Sequence, residues 1–322
     1  MTLVLSGSVA YDYIMTFPGH FREHILVDKL ESLSLSFLVE SLTRQRGGVA
    51  PNIAYTLSLL GERPILMATV GEDFGEYRAW LEANGIDTTG LRTIPGVMTA
   101  SYFVSTDQAQ AQIASFYPGA MAHAAALRLA DLPERPARVV ISPDSPDAMR
   151  ERVRECKALA IPYAYDPSQQ IIRLTAEDLL EGIECCSLLV VNEYEMGMIC
   201  NKTGLSEARL LELAGAVVKT CGENGACIHA AGETHTIPAV APHRLVDPTG
   251  VGDAFRGGLF RGIAAGWPWE LSGRVGALAA TFCLEQLGTQ NHRFTRPEFV
   301  TRFREHFDDG GRLDELLGEG DR

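Results

Sequence analysis

The sequence predicts an α/β fold, with a mostly parallel central sheet covered by helices on both faces and a small β lid. Three observations predict it. Continuously apolar runs at 65–70, 139–141, 162–166 and 188–191 alternate with segments of helical spacing, as strands buried on both faces do. The stretches 13–46 and 97–118 do not fit a compact βα unit and read as short, half-exposed strands. A glycine-flanked turn at 247–253 opens a long apolar run, the pattern of an anion-binding helix start.

The chain of 322 residues is long enough for a sizeable core, and one domain over 1–322 is expected, with the lid segments inserted at 13–46 and 97–118. A net charge of -13 argues against nucleic acid or an anionic membrane as partner, since both need a basic surface. Seven cysteines, with no C-x-x-C pair, fit reduced thiols. No basic start or cleavage site opens the chain, and the longest apolar run, 275–284, is too short to span a bilayer. A soluble cytoplasmic protein, monomeric or homodimeric, is expected.

The opening strand starts at Leu3 and ends on Asp12, which sets a carboxylate at the carboxyl edge of the sheet, where ligands of open α/β folds bind. A turn-forming Asp fits that residue equally well. The alternating run 33–37 suggests a half-exposed strand. Gly47 and Gly48 precede a helix with Ile53, Ala54, Leu57 and Leu60 on one face, and Gly61 stops it. A strand at 65–70 and a helix at 74–84 follow. Segments 100–104 and 112–116 flank a polar turn at 106–108, a hairpin that would pair with the 13–46 insertion over the site. Helices are expected at 146–159, 206–218, 253–265, 269–287 and 296–307, and a hairpin around Gly232 near the sheet edge. The charged tail 308–322 is expected to fray.

The chemistry concentrates at Asp247-Pro248-Thr249-Gly250-Val251-Gly252-Asp253-Ala254-Phe255-Arg256-Gly257-Gly258. The first amides of a helix have no internal partner, the macrodipole adds positive charge, and glycines let backbone approach a ligand. Such a nest suits a phosphate or the charge that develops in phosphoryl transfer. Asp253 beside it fits an acid that accepts a proton from an attacking hydroxyl. An ordinary helix start with an acid complementing the dipole is the plainer alternative.

This stretch resembles the second signature of the ribokinase (PfkB) family of carbohydrate and nucleoside kinases, D-T-x-G-A-G-D-x-F, with Pro248 and Val251 as mild departures. The resemblance implies a ribokinase-like three-layer α/β/α domain. It assigns the catalytic base to Asp253 and the anion hole to Gly250, Val251 and Gly252. It gives Asp12 and the G-G-x-x-x-N element, Gly47, Gly48 and Asn52, the acceptor's hydroxyls. Asn192 and Glu195 match the family's N-x-x-E, which orders Mg²⁺ through water; a helix N-cap explains the pair equally from the residues alone. Thr220, Gly222 and Gly225 match the T-x-G-x-x-G turn that lines the phosphates of ATP, which a plain glycine turn also explains. Asp247 and Thr249 match the acid and hydroxyl that help many members bind a monovalent cation, K⁺. Asp166 matches D-x-N-x-R only at the acid, with Ser168 and Gln170 replacing the Asn and Arg, so no role follows.

Zinc patterns, a P-loop, a G-x-G-x-x-G fingerprint and a G-x-S-x-G elbow are all missing. Segments 8–17, 36–39 and 116–121 resemble the nucleoside kinase branch, of the bacterial adenosine kinase kind. Phe17, Phe21, Phe37, Phe103 and Phe116 are the candidate walls for a base. The expected activity is ATP- and Mg²⁺-dependent phosphorylation of a ribonucleoside 5′-hydroxyl. A sugar kinase and a non-catalytic nucleoside sensor are the alternatives.

Overall fold

The structure, a computed structural model, describes residues 2–25 and 34–318. Strand β1 (Leu3–Ser6) is buried at every residue and lies in the middle of the main sheet. The chain then steps out of that sheet. Asp12 does not end the opening strand but is the third residue of a separate one, β2 (Ala10–Thr16). The break falls at Gly7, where a Cβ would lie 2.9 Å from that of Ser142. Strand β3 (Ser41–Gly47) runs back antiparallel to β2.

The run proposed as a strand at 33–37 is not one: Leu33 lies outside the described residues, and 34–39 form no ladder. Phe37 instead packs edge-on against Phe17 and Phe21, with ring centroids 5.1 and 4.9 Å away. Local alternation yields there to an aromatic cluster, while the polar β3 owes its strand to its partner β2.

Helix α1 (Val49–Leu59) follows, then β4 (Ile65–Val70), α2 (Gly75–Ala83) and β5 (Leu91–Thr93). The hairpin β6 (Ala100–Thr106) and β7 (Gln112–Tyr117) joins β2 and β3 in a four-stranded sheet of order β3-β2-β6-β7. The chain re-enters the main sheet at β8 (Arg138–Ile141), followed by α3 (Pro146–Ala158), β9 (Tyr163–Tyr165), α4 (Ala176–Ile183), β10 (Leu188–Asn192) and α5 (Glu193–Thr203).

The helix expected over 206–218 is shorter. Helix α6 (Glu207–Leu213) stops before Gly215, and β11 (Ala216–Thr220) follows as a strand parallel to β10. Ala216, Val217 and Val218 are buried, and β-branched residues covered on both faces favour the pleated sheet. Strands β12 (Ala226–Ala230) and β13 (Glu233–Ile237) finish a nine-stranded sheet of order β13-β12-β11-β10-β9-β8-β1-β4-β5. Helices α7 (Val251–Ala264), α8 (Trp269–Leu284) and α9 (Arg296–His306) complete the chain.

Alternate residues of β1 feed two cores. Leu3 and Leu5 pack with α1, α2 and α7, whereas Val4 packs with α3, α4 and α5. The result is a three-layer α/β/α arrangement with the small sheet beside it. Over residues 308–318, the described part of the tail, the expected fraying is not found. Leu313 and Leu316 are buried against Phe299 and Phe303, and the Trp267 indole donates to Glu315 at 2.6 Å. Among the described residues no helix is long and apolar enough to cross a membrane.

Candidate active site

Gly250 is the N-cap of α7, held at φ +78°, where a side chain would be strained and a Cβ would meet the Thr289 methyl at 2.8 Å. No side chain caps the helix, so the amides of its first turn face outward beside Val251 and Gly252. Asp253 stands in that turn, half-buried, and its Oδ2 accepts from the Asn52 side-chain amide at 2.8 Å. Burial raises its carboxyl above the usual range; Arg256 and the Asn52 amide oppose the rise, and Glu195 reinforces it. A raised base holds a proton better, provided it begins deprotonated.

Arg256, one turn further on, is a site residue that the motif comparison passed over. Its Nη2 donates to Asp166 Oδ1 at 2.7 Å in a buried pair, and its Nη1 lies 2.9 Å from where a Cβ on Gly252 would stand. The available signal was a cation at i+3 from the proposed base, inside an apolar helix face. The pair also accounts for Asp166, to which no role could be assigned from its motif. Burial pushes the Asp166 carboxyl up to about 7 against the pull of Arg256.

On the acceptor side, the Asp12 carboxyl is pushed up to about 6, chiefly by burial and then by Asp253. Gly47 lies directly under it, and Gly48, at φ +96°, turns the chain into α1. Asn52 reaches across α1 to Asp253, and its Oδ1 accepts from Gln290 at 2.7 Å. The strand register sorts the aromatic candidates. Asp12 is opposite Tyr102, which is opposite Phe116, so the three share one face of the small sheet. Phe103 is opposite Tyr13 on the other face, stacked on it at 4.7 Å, while Phe17 and Phe21 are buried against each other.

Asn192 and Thr220 are register partners at the carboxyl ends of β10 and β11. Asn192 and Glu195 form a reciprocal capping box at the start of α5, 2.8 and 2.7 Å, and Glu195 also accepts from Ser168 at 2.9 Å. Gly222 and Gly225 shape the turn after Thr220 at φ +58° and +84°, and the space beside Gly222 is open. Among the described residues no three His, Cys, Asp or Glu side chains form a metal cage. Asp166 Oδ2 is nevertheless buried with no partner and lies in the field of Glu195. Hard carboxylate oxygens without a full cage fit Mg²⁺, which keeps waters and takes phosphate oxygens. Asp247 spans two loops, accepting from the Thr249 amide and the Gly288 amide, each at 2.9 Å.

The chain is similar to known proteins over nearly its whole length. The chain is 32% identical over 308 residues to a nucleoside kinase of Methanothermobacter thermautotrophicus, covering 94% of this chain and 95% of that one. The structure of Burkholderia thailandensis nucleoside kinase in complex with inosine superposes with a TM-score of 0.86 at 35% identity, covering 95% and 99% of the two chains. The structure of the Methanocaldococcus jannaschii nucleoside kinase, an archaeal member of the ribokinase family, gives 0.82 at 26% identity, covering 95% and 99%. The pfkB family carbohydrate kinase pattern matches residues 6–295, and the chain belongs to that family.

Proposed function

We propose that this protein transfers the γ-phosphoryl group of ATP to the 5′-hydroxyl of a ribonucleoside. The observation that carries the proposal is Asp253 at the uncapped start of α7, bonded to Asn52 and with its charge raising the Asp12 carboxyl of the small sheet. Nucleoside kinases among the relatives, and Burkholderia structures with inosine and with ADP-inosine, support it.

In this mechanism Asp12 and the backbone at Gly47 and Gly48 accept and orient the ribose hydroxyls. Asp253 takes the proton of the 5′-hydroxyl as its oxygen attacks phosphorus. The amides beside Gly250, Val251 and Gly252, with the Arg256 cation behind them, stabilise the charge on the transferring group. The turn carrying Thr220, Gly222 and Gly225 lines the nucleotide phosphates, and Phe116 with Tyr102 supplies the wall for the base. Asn192, Glu195 and Asp166 would hold Mg²⁺, partly through water, and the ion would supply charge neutralisation between phosphate oxygens. Asp247 and Thr249 mark a place behind the anion hole for K⁺.

The test is acceptor-dependent ADP release with Mg-ATP across adenosine, inosine, guanosine, cytidine, ribose and fructose. Turnover with nucleosides but not free sugars is the expected outcome. Turnover with sugars alone would overturn the acceptor, and binding without turnover would favour a sensor.

A further inference from the structure

A chain of hydrogen bonds runs from the backbone to Asp253, and its polarity is fixed at the far end. The Gly47 carbonyl can only accept, so the Tyr77 hydroxyl donates to it, at 3.0 Å. With that proton committed, the Tyr77 oxygen accepts from Gln290 Nε2 at 2.6 Å. The same nitrogen donates to Asn52 Oδ1 at 2.7 Å. Asn52 is left with its own NH₂ group, which donates to Asp253 Oδ2 at 2.8 Å. Gln290 and Tyr77 are buried, so no bulk water substitutes for a misplaced end. Turning either amide over would set two donors or two acceptors face to face, a costly arrangement in a dry interior.

We infer that Gln290 is a positioning residue for phosphoryl transfer: it dictates which end of the Asn52 amide meets Asp253, so that the carboxylate always faces a donor. The setting makes that donor count. Asp253 is faced by Asn52 from α1, Arg256 from its own helix, Asp12 from β2, Asp166 beyond β9, Glu195 from α5 and Cys283 from α8. Burial and then Glu195 favour the protonated carboxyl, and Arg256 and the Asn52 donor favour the ionised one. An inverted Asn52 would present Oδ1, which pairs with a protonated acid, and a protonated Asp253 cannot take the acceptor's proton.

The inference rests on Asp253 being the base, and the experiment separates the two. The pH profiles of kcat and kcat/KM for nucleoside phosphorylation are measured for Gln290→Glu and Tyr77→Phe, with Asp253→Asn alongside. In Gln290→Glu both carboxylate oxygens accept, so Asn52 turns its NH₂ away from Asp253. The acid limb of kcat/KM should move up by about one pH unit, a roughly tenfold loss on the limb that recovers at higher pH. Nucleoside KM should change little. Tyr77→Phe adds no charge but frees the polarity of the chain, and should move the limb the same way by less. If Gln290→Glu does not fold, Tyr77→Phe decides. Unmoved limbs, with any loss equal at all pH values, would reduce Gln290 to a packing residue. Near-normal turnover by Asp253→Asn would sink the base itself; an inactive Asp253→Asn with unmoved limbs would sink only the role of Gln290.

Discussion

The carboxylate of Asp12 occupies the space that a side chain at Gly47 would need: a Cβ there would lie 2.2 Å from Asp12 Oδ2. The glycine is thus fixed by an acid on the neighbouring strand. Gly47→Ala must push that carboxylate off its post. KM for the nucleoside should rise by about tenfold or more, with kcat falling less, because the loss is in holding the acceptor. Steady-state kinetics with saturating Mg-ATP checks this, and an unchanged KM would remove Asp12 from the acceptor site.

Strand register separates two aromatic residues that sequence alone treats alike. Phe116 shares a face with Asp12, and Phe103 does not. Phe116→Ala should raise nucleoside KM by about tenfold, the scale of one lost stacking contact, while Phe103→Ala leaves KM within about twofold. The reverse order in paired kinetic measurements would place the base on the other face.

Arg256 and Asp166 form a buried pair, 2.7 Å apart. Removing one partner strands the other charge, so Arg256→Met should cost on the order of 3–5 kcal/mol in urea unfolding. Adding Asp166→Asn to Arg256→Met should recover part of that loss. Strict additivity of the two changes would mean that the pair is not coupled.

His292 is buried, Thr56 Oγ1 lies against its ring at 3.0 Å, and burial depresses its pKa to about 4. The unfolded chain takes up this proton near the ordinary value of about 6.5, and the folded chain does so only near 4. Its contribution to stability is therefore intact above pH 6.5 and falls as pH drops from there toward 4, by on the order of 3 kcal/mol in all. His292→Gln should flatten the unfolding free energy across that window in chemical denaturation at a series of pH values. An unchanged slope would mean that the imidazole is protonated in the folded protein.

The parts of this fold written in local pattern were legible: the apolar run of β4, the hairpin of β6 and β7, and the glycine turn at the start of α7. What escaped depends on partners far along the chain. Val217 and Val218 continue a helical pattern on paper, but a strand forms because β10 lies beside them. Asp12 looks like the end of β1, yet the step out of the main sheet at Gly7 is set by Ser142, on the far side of 134 intervening residues of chain. The motif residues Asp253 and Asn52 could be named from their resemblance to the family's motifs. Arg256 and Gln290 could not be given roles, because a buried cation and an amide acquire meaning only from what they touch: Asp166 in one case, Tyr77 and Asn52 in the other.

The chain crosses between its two sheets several times, and two of those crossings abut: entering β2 at residues 8–9 and leaving β3 at residues 47–48. A Cβ on Gly48 would lie 2.5 Å from the Ser8 carbonyl oxygen. This contact joins the strand that carries Asp12 to the turn that opens α1, the helix whose Asn52 holds Asp253. The spacing between Asp12 and Asp253 therefore depends on how the two crossings meet, and belongs to neither sheet alone. Across that spacing the Asp253 charge adds to burial in raising the Asp12 carboxyl. In the proposed reaction each acid receives a hydroxyl of its own, a ribose hydroxyl at Asp12 and the 5′-hydroxyl at Asp253, so one bound nucleoside would tie the two sheets together at their junction.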